Sequence, residues 1–285
     1  MDMLFLNEPT APLNKFLDTH NIRSVRLGRE VPGKVEAIYT HGTVFNKKDY
    51  PMLKWVLCPM TGTRHLGFLN NTNIQLFKLN DRQWLFDNAW STAEFTLSMI
   101  LRLWNGLRRE IRGTTIGFVG FGRVSQQIYK LIENWEVNII WYDLNETLYR
   151  KTSKGNMVSS MDDIFLESDI ISISVDENPL TMGFINRKQF SLCTKQPIII
   201  NTARASLINY VHMLEAFNDG KIAGFGLDVD IDYMEKDKKT WREIEDLNRI
   251  YKGVLVTPHI AGKGLESRII TDRYVFGKFV ESIGE

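Results

Sequence analysis

Short apolar runs recur along the chain and alternate with segments whose apolar residues follow a helical period. In the N-terminal part, the runs at residues 3–6, 24–27, 35–39, 53–57 and 74–78 are typical of strands. Further runs, most of them rich in isoleucine and valine, lie at 115–119, 137–142, 170–175, 197–201, 224–229 and 253–256. Near-continuous apolar strands are typical of a parallel sheet that is covered on both faces. The pattern therefore predicts an α/β protein with a small first domain and a larger parallel-sheet domain.

A long helix is predicted between the two sets of strands, because apolar residues recur at helical spacing from residue 91 to residue 107. Ser91 is predicted as its N-cap, and Glu94, three residues on, completes a capping-box pattern. No repeat or proline- and glycine-rich linker divides the chain, so we expect the domain joints to be short and structured.

Composition narrows the class of protein. The 285 residues are 44% apolar and 24% charged, which is typical of a globular protein long enough for two domains. The 35 basic residues nearly balance the 34 acidic ones, so neither nucleic acid nor a membrane surface is expected as a partner. No signal peptide or membrane-spanning stretch is visible, so a cytoplasmic location is expected. Cys58 and Cys193 are isolated, which predicts two buried thiols and no metal site.

A glycine-rich turn follows the strand at 115–119 and opens a predicted helix, in the sequence GFGRVS at 120–125. Gly120 permits the tight turn, and Gly122 lets the backbone approach a dinucleotide pyrophosphate. The helix N-terminus, where Arg123 and Val124 stand, offers free N–H groups to that anion. Ser125 replaces the usual third glycine, and a residue this small is expected nearly to fit. Taken alone, the pattern could also be an ordinary glycine turn.

The next strand ends at Asp143, 23 residues after Gly120, where an acid is needed to accept bonds from the ribose hydroxyls. No arginine or lysine follows directly, as Leu144 and Asn145 come next. The cofactor predicted by this strand, turn, helix and acid is NAD rather than NADP.

Three later segments resemble consecutive signatures of the D-isomer-specific 2-hydroxyacid dehydrogenases. They read IINTAR at 199–204, GFGLDV at 224–229 and VTPHIAG at 256–262. The similarity runs from about residue 53 to residue 267 and includes MTGT at 60–63 and STAE at 91–94. It implies a Rossmann-type doubly wound parallel-sheet domain plus a smaller flavodoxin-like α/β substrate domain. We expect the substrate domain at 1–86, rejoined by 263–285, the NAD-binding domain at 87–262, and the active site in the cleft.

The resemblance also implies a reaction, the interconversion of a small-molecule 2-keto acid and a D-2-hydroxy acid. Such a reduction needs a cation for the carboxylate and a proton donor for the developing alkoxide. Arg204 presents a planar fork for the carboxylate, helped by backbone N–H groups of Thr61, Gly62 and Thr63. His259 is expected to be the general acid and base. Alone, Arg204 could instead be a surface ion-pair partner and His259 a structural histidine.

The remaining cofactor contacts come from the same segments. The resemblance implies that Thr202, Ala203 and Gly262 line the cofactor site and that Asp228 lies near the nicotinamide. The alternative for Asp228 is an ordinary turn residue at a strand end.

The chain departs from the family at the carboxylate that usually supports the catalytic histidine, since Tyr233 stands at that position. Asp232, which we expect to take the catalytic part, and Glu235 flank it, and a small loop shift could bring either to His259. The alternative is a solvated acidic loop. Without a carboxylate on His259, we expect an acid-shifted pH optimum.

Other departures affect cofactor, oligomer and substrate. The segment 174–176 (SVD) replaces the family's His-x-Pro near the adenine, and Arg64-His65 follows the substrate turn where an acid is more usual. Only eight residues separate Leu107 from Ile116, so the family's homodimer is expected to be weakened.

The competing hypothesis for function is a non-catalytic NAD(H)-binding sensor or regulatory protein on the same fold. An enzyme of another Rossmann family would need its own catalytic motif, and none stands out.

Overall fold

The structure, a computed structural model, describes residues 1–8, 10, 15, 17–144, 156–229 and 237–284, with Arg64 described for its backbone alone. The chain divides into two compact units. Unit 1 comprises Met1–Ala89 and Gly264–Glu285, and unit 2 comprises Trp90–Lys263. Each unit is described by itself below.

Unit 1 is built on a five-stranded parallel sheet. Its strands are β1 (Asp2–Phe5), β2 (Arg23–Arg26), β3 (Val35–Tyr39), β4 (Trp55–Cys58) and β5 (Gln75–Lys78), in the order β2-β1-β3-β4-β5. This is the flavodoxin-like order that the resemblance implies. Helix α1 spans Arg82–Asn88 and helix α8 spans Leu265–Ile283. Val275, Phe276 and Phe279 of α8 pack into the same core as Met3 and Tyr39 of the sheet, so the two ends of the chain fold together.

Unit 2 contains a seven-stranded sheet, and every pairing in it is parallel. Its strands are β6 (Thr115–Val119), β7 (Asn138–Tyr142), β8 (Asn156–Met157), β9 (Ile170–Ile173), β10 (Ile198–Asn201), β11 (Gly224–Asp228) and β12 (Val254–Thr257). The order is β12-β11-β10-β9-β6-β7-β8. This is a doubly wound arrangement: successive strands are added on one side of β6 up to β8, and on its other side from β9 onward. The α-helices in the described part of this unit are α2 (Ser91–Gly106), α3 (Arg123–Ile132), α4 (Met161–Glu167), α5 (Arg187–Ser191), α6 (Tyr210–Asn218) and α7 (Lys238–Ile250).

The central strands of unit 2 are buried on both faces, as their apolar sequences predict. In β10, Ile198 and Ile200 point into one core cluster and Ile199 into another. In β9, Ile170 and Ile171 divide in the same way. Successive side chains of a strand point to opposite faces, so helices must cover both sides of this sheet. The predicted α/β fold with two parallel sheets is confirmed.

The predicted N-cap of α2 is wrong by one residue. The helix begins at Ser91, Trp90 takes the N-cap position, and no side chain caps the helix there. The Ser91 hydroxyl instead donates to the carbonyl oxygen of Ala261 at 2.6 Å. Ser91 was misassigned because this acceptor lies 170 residues away in sequence. A capping pattern reports local preference and cannot show a tertiary partner.

The short segment after α2 folds against the end of its own helix. The indole Nε1 of Trp104 donates to the Glu110 carbonyl oxygen at 2.9 Å, and the Arg109 guanidinium lies 5.1 Å from the centre of the Trp104 ring. Arg108 has a left-handed backbone with φ of 57°. These contacts pack the connection between α2 and β6 against the last turns of α2.

Both cysteines are buried and free, as predicted, and burial raises the pKa of Cys58 to about 11 and that of Cys193 to about 12. Within the described residues, no helix combines the length and apolar character needed to cross a bilayer. The same part of the chain holds no group of three or more histidine, cysteine or acidic side chains suited to a metal ion.

Candidate functional site

The predicted site residues of unit 2 lie at one edge of its sheet. Gly120 follows β6, Asp143 follows β7, Arg204 follows β10, Asp228 ends β11 and His259 follows β12. The strands are parallel, so their carboxyl ends meet at the same edge. Ligands of open α/β sheets bind at this edge, in the crevice where the strand order reverses. In unit 2 that crevice lies between β6 and β9.

Gly120 occupies a position that only glycine can take. Its φ is 87°, and an added Cβ would lie 2.6 Å from the Ser174 carbonyl oxygen and 2.6 Å from Cγ1 of Val175. Both neighbours belong to the segment that leaves β9, so the turns after β6 and β9 touch at their start. The tight turn assigned to Gly120 from the sequence is present.

Gly122 begins the helix and leaves open space in front of it. It is the N-cap of α3, makes no side-chain cap hydrogen bond, and an added Cβ would meet nothing within 4 Å. Because the N-cap is a glycine, no side chain of that residue stands in front of the Arg123 and Val124 N–H groups. A helix N-terminus behind a glycine turn fits the pyrophosphate of a dinucleotide.

Ser125 fits the position where a third glycine is usual. Its side chain is completely buried, and its hydroxyl donates to the Gly120 carbonyl oxygen at 2.7 Å. The serine therefore closes the turn with a hydrogen bond of its own, and this departure leaves the glycine turn intact.

Asp143 is bound to the same turn. Its Oδ2 accepts from the backbone N–H of Phe121 at 2.8 Å, so the acid at the end of β7 lies beside the residue between the two glycines. Arg123 is half-buried, and its guanidinium donates to Oε1 of Gln127 at 3.2 Å. Burial lowers the pKa of Arg123, although an arginine stays protonated at neutral pH.

Arg204 stands on a short loop that leaves β10. The loop continues into a 3-10 turn at Ala205–Leu207, and Arg204 is the extended residue before it, with φ of −140°. Its side chain is half-buried, and one guanidinium nitrogen donates to the Ala203 carbonyl oxygen at 2.7 Å. A guanidinium carries five N–H donors, so this single bond leaves it the capacity to bind a carboxylate.

His259 has an unusual backbone and a half-buried side chain. Its φ is 52°, in the left-handed region, which costs a residue other than glycine about 1–2 kcal/mol. Its own N–H donates to the Thr257 carbonyl oxygen at 2.9 Å, which closes a tight turn around Pro258. A loop of this kind needs support from its surroundings.

Asp228 provides that support. Its carboxylate is completely buried and accepts three hydrogen bonds, from the Thr257 hydroxyl at 2.5 Å and from the N–H groups of Ile260 and Ala261, both at 2.8 Å. The bonds hold the segment before and after His259. The contact of Asp228 with the nicotinamide, which the resemblance implies, stays a prediction, whereas its hold on the histidine loop is a feature that sequence reasoning missed.

The N-terminus of α2 also holds the His259 loop. The Ser91 hydroxyl donates to the Ala261 carbonyl oxygen, as described above. The next residue, Gly262, is also close to the helix, because a Cβ added to it would lie 3.6 Å from Oγ1 of Thr92. The STAE motif at 91–94 was the available signal for this contact, but it was interpreted as a helix cap.

The predicted substrate turn belongs to unit 1. Thr61, Gly62 and Thr63 follow β4, and a 3-10 helix, Arg64–Leu69, begins directly after them. His65 is half-buried, its Nε2 has no hydrogen-bond partner among the described residues, and burial lowers its pKa. Burial therefore favours the neutral form of this imidazole.

The proposed carboxylate partner of His259 falls on a segment that is not described. Asp232, Tyr233 and Glu235 lie outside the described residues. Directly after the segment 174–176, which replaces the family's His-x-Pro, Glu177 accepts a hydrogen bond from the buried Ser206 hydroxyl at 2.7 Å. This bond joins the segment after β9 to the segment that follows Arg204.

A glycine turn, an acid on the next strand and a doubly wound parallel sheet define unit 2 as a dinucleotide-binding domain. Residues 91–261 match the family model described as D-isomer specific 2-hydroxyacid dehydrogenase, NAD binding domain. The match covers more than half of the chain, which therefore belongs to this family. The resemblance stated from the sequence and the expectation of NAD as cofactor are both confirmed.

Curated relatives show how far the similarity extends. The putative 2-hydroxyacid dehydrogenase YoaD of Bacillus subtilis is 31% identical over 205 residues, which are 70% of this chain and 53% of that protein. A glyoxylate reductase of Pyrococcus furiosus is 30% identical over 159 residues, 56% of this chain and 45% of that protein. The chain spans about half the length of the curated relatives it matches.

Solved structures share the fold at low sequence identity. The apo-structure of D-lactate dehydrogenase from Escherichia coli has a TM-score of 0.80 at 16% identity, covering 100% of this chain and 98% of that one. D-2-hydroxyisocaproate dehydrogenase has a TM-score of 0.78 at 19% identity, with the same coverage. At these identities the likeness supports the fold and leaves the substrate open.

Proposed function

We propose that this chain interconverts a 2-keto acid and a D-2-hydroxy acid with NAD as the hydride carrier. The observation that supports this most strongly is the placement of Arg204 and His259. They follow β10 and β12, at the same sheet edge as the Gly120 turn, with Asp228 on the strand between them. At the usual strand spacing, β10 and β12 are about 10 Å apart, which suits two groups that act on one small substrate.

Bound NADH supplies the hydride for the carbonyl carbon of the keto acid. Arg204 binds the substrate carboxylate through paired N–H donors, which fixes the orientation of the keto group. His259 donates a proton to the carbonyl oxygen as that oxygen gains charge, and takes it back in the reverse direction. One hydride and one proton are added per molecule of 2-hydroxy acid formed.

The remaining assignments are part of the same proposal. Unit 2 is the NAD-binding domain, in which Gly120, Gly122, Arg123, Val124 and Asp143 hold the pyrophosphate and ribose. Further cofactor contacts come from Thr202, Ala203, Asp228 and Gly262. Unit 1 is the substrate domain, whose turn at Thr61–Thr63 adds N–H donors for the carboxylate. Asp232, or else Glu235, is the carboxylate that supports His259.

The test is turnover of a panel of keto acids: glyoxylate, pyruvate, hydroxypyruvate, phenylpyruvate and oxaloacetate, followed by NADH absorbance. Arg204→Ala is expected to raise KM for the keto acid and to lower kcat/KM, because a charge-assisted hydrogen bond contributes about 1.5–3 kcal/mol. Arg249→Ala is the matched control, since Arg249 is exposed and pairs only at the surface with Asp246 at 3.5 Å. NADH binding without turnover of any keto acid would instead favour the non-catalytic sensor.

We also propose a monomer or a weak dimer. The connection between Leu107 and Ile116 is eight residues long and folds over Trp104 of its own helix, so it is too short for an exchanging arm. Sedimentation at micromolar concentration tests this. A tight dimer would require another surface to carry the whole interface.

A further inference from the structure

Asn201 is a buried side chain for which the proposed reaction has no role so far. It is the last residue of β10 and is completely buried. Its Oδ1 accepts from the Ala203 N–H at 3.0 Å, and its Nδ2 donates to the Arg204 carbonyl oxygen at 2.9 Å. Both ends of the amide are thus used within the next three residues of the chain.

This pair of bonds is more specific than an ordinary turn. Asparagine often accepts from the N–H two residues on, and that pattern accounts for the bond to Ala203. The second bond requires a donor on the same side chain. Aspartate lacks that donor when ionised, and alanine lacks both groups, so an amide is needed to close the loop from both directions.

The backbone between these bonds is held from a second side. The hydroxyls of Thr202 and Thr96 lie 2.8 Å apart, and the Thr96 hydroxyl also lies 2.6 Å from the Thr92 carbonyl oxygen. A hydroxyl has one proton, and a carbonyl can only accept, so Thr96 donates to Thr92 and Thr202 donates to Thr96. Thr202 is thereby bound to α2.

The segment after Arg204 is fixed as well. Ser206, almost fully buried, donates from its hydroxyl to Glu177, and its carbonyl oxygen accepts from the Gly183 N–H at 2.7 Å. The backbone of Arg204 therefore runs between two anchored neighbours. These anchors fix the backbone from which the Arg204 side chain leaves the loop.

We propose that Asn201 is the positioning residue for Arg204. Its amide clamps residues 201–204 so that the guanidinium leaves the loop in the orientation that a substrate carboxylate requires. Bidentate binding of a carboxylate requires a defined orientation of the guanidinium. A mutation that displaces a binding group by about 1 Å, even from a distance, can lower the rate about 100-fold. This inference rests on the role of Arg204 in the proposed function.

The clamp is tested first without any substrate. Hydrogen exchange at the Ala203 amide is measured in the full chain and in Asn201→Ala, and we expect at least tenfold faster exchange in the variant. Gln189→Ala is the matched control, because Gln189 is also a buried amide that accepts from a backbone N–H, that of Asn186 at 3.2 Å. Equal exchange at Ala203 in the native protein and Asn201→Ala would overturn the clamp.

The link to Arg204 is tested by a double-mutant cycle. Asn201→Ala is expected to raise KM for the best keto acid about 10- to 100-fold, with a smaller change in kcat. In an Arg204→Lys background, the same substitution should change KM less than about twofold, because the group that it positions is already gone. An equal factor in both backgrounds would mean that Asn201 acts only on stability, and would overturn the proposal.

Failure of the reaction and failure of the positioning role give different results. If the native protein turns over no keto acid, the proposed function fails, and the same cycle is then followed as affinity for oxamate, a carboxylate-bearing analogue of pyruvate. Unequal effects of Asn201→Ala on oxamate binding in the two backgrounds support the positioning role. Equal effects, or no oxamate binding at all, overturn it.

Discussion

Asp228 in unit 2 and Asp272 in unit 1 are both completely buried carboxyl groups, and their surroundings differ sharply. Asp228 accepts from one hydroxyl and two backbone N–H groups, which occupy both of its oxygens. Asp272 of α8 accepts from the Tyr39 hydroxyl at 2.8 Å, and its second oxygen has no hydrogen-bond partner among the described residues. Burial raises the pKa of Asp272, and Tyr39, Thr10 and Arg268 oppose this only in part.

The difference shows two uses of a buried carboxyl group. At Asp228 the donors belong to the loop that carries His259, so the cost of burying the charge is offset by bonds that also fix that loop. At Asp272 the donors are fewer, and burial raises the pKa of the carboxyl group. Asp228 fixes the loop around it, whereas Asp272 is easier to protonate than an exposed carboxyl group. The predictions below separate these uses, beginning with the largest effect.

His259→Ala should cause the largest loss of kcat of any variant that acts through this loop. Positioned proton transfer contributes about 10²–10⁴-fold, so we expect kcat to fall by that factor while NADH affinity is retained. His212→Ala is the control, since His212 lies on α6 and its Nδ1 accepts only a backbone N–H, that of Arg187 at 3.2 Å. A His259 variant that keeps more than about a tenth of the native rate would contradict the proposed mechanism.

Asp228→Asn should lower kcat by less than His259→Ala does. The asparagine side chain has one NH2 group, which would face a donor of the loop at one of the three hydrogen bonds. That repulsion shifts the loop, although His259 itself is still present. We expect about a 10- to 100-fold loss in kcat and a loss of about 1–3 kcal/mol in the free energy of unfolding. Kinetics and urea unfolding measure the two effects. Native kcat in this variant would show that the bonds to the His259 loop do not matter for catalysis.

Asp143 extends the comparison to a half-buried carboxylate that binds the glycine turn. Because its negative charge would oppose the 2′-phosphate of NADPH, we expect NADH to be preferred by about tenfold or more in kcat/KM. Measurement with each cofactor on one keto acid decides this. Equal or better use of NADPH would remove Asp143 from its assigned role.

Asp272→Asn should change stability in a pH-dependent way and leave activity unaltered. The folded pKa lies above the ordinary value of 3.8, so the native state holds more protons than the unfolded chain between the two values. The native protein therefore loses stability as pH rises through that window, and the asparagine variant does not. The stability gain of the variant should be absent below about pH 3.8, grow as pH rises and then level off. Parallel pH profiles of Tm would argue against a titrating Asp272.

The parts of the fold that the sequence predicted well are those determined by local composition. The strand at Thr115–Val119 agrees at both ends; its apolar run stops at Gly120, where a φ of 87° takes the backbone out of the strand conformation. The two-residue strand Asn156–Met157 was missed, since it is short and carries no apolar run. Ser91 was assigned to the wrong position because its hydroxyl binds a partner that is remote in sequence.

The site residues show the same difference between features that are local in sequence and features that depend on remote partners. Arg204, His259 and the glycine turn could be found, because motifs preserve residue type and spacing at strand ends. The groups that hold them were missed. Nothing local to Asp228 shows that its carboxylate reaches backbone N–H groups more than thirty residues later, and nothing local to Asn201 shows that both ends of its amide are used.

The bond between Ser91 and Ala261 has a consequence for the architecture of the chain. Unit 2 begins at Trp90 and ends at Lys263, so this bond joins residues next to its first and last positions. Unit 2 is thus a continuous insertion whose two ends emerge side by side. Domains with adjoining ends are the ones that tolerate excision, transplantation and circular permutation. In engineering terms, residues 90–263 form a cassette that could be moved into another host chain with short linkers.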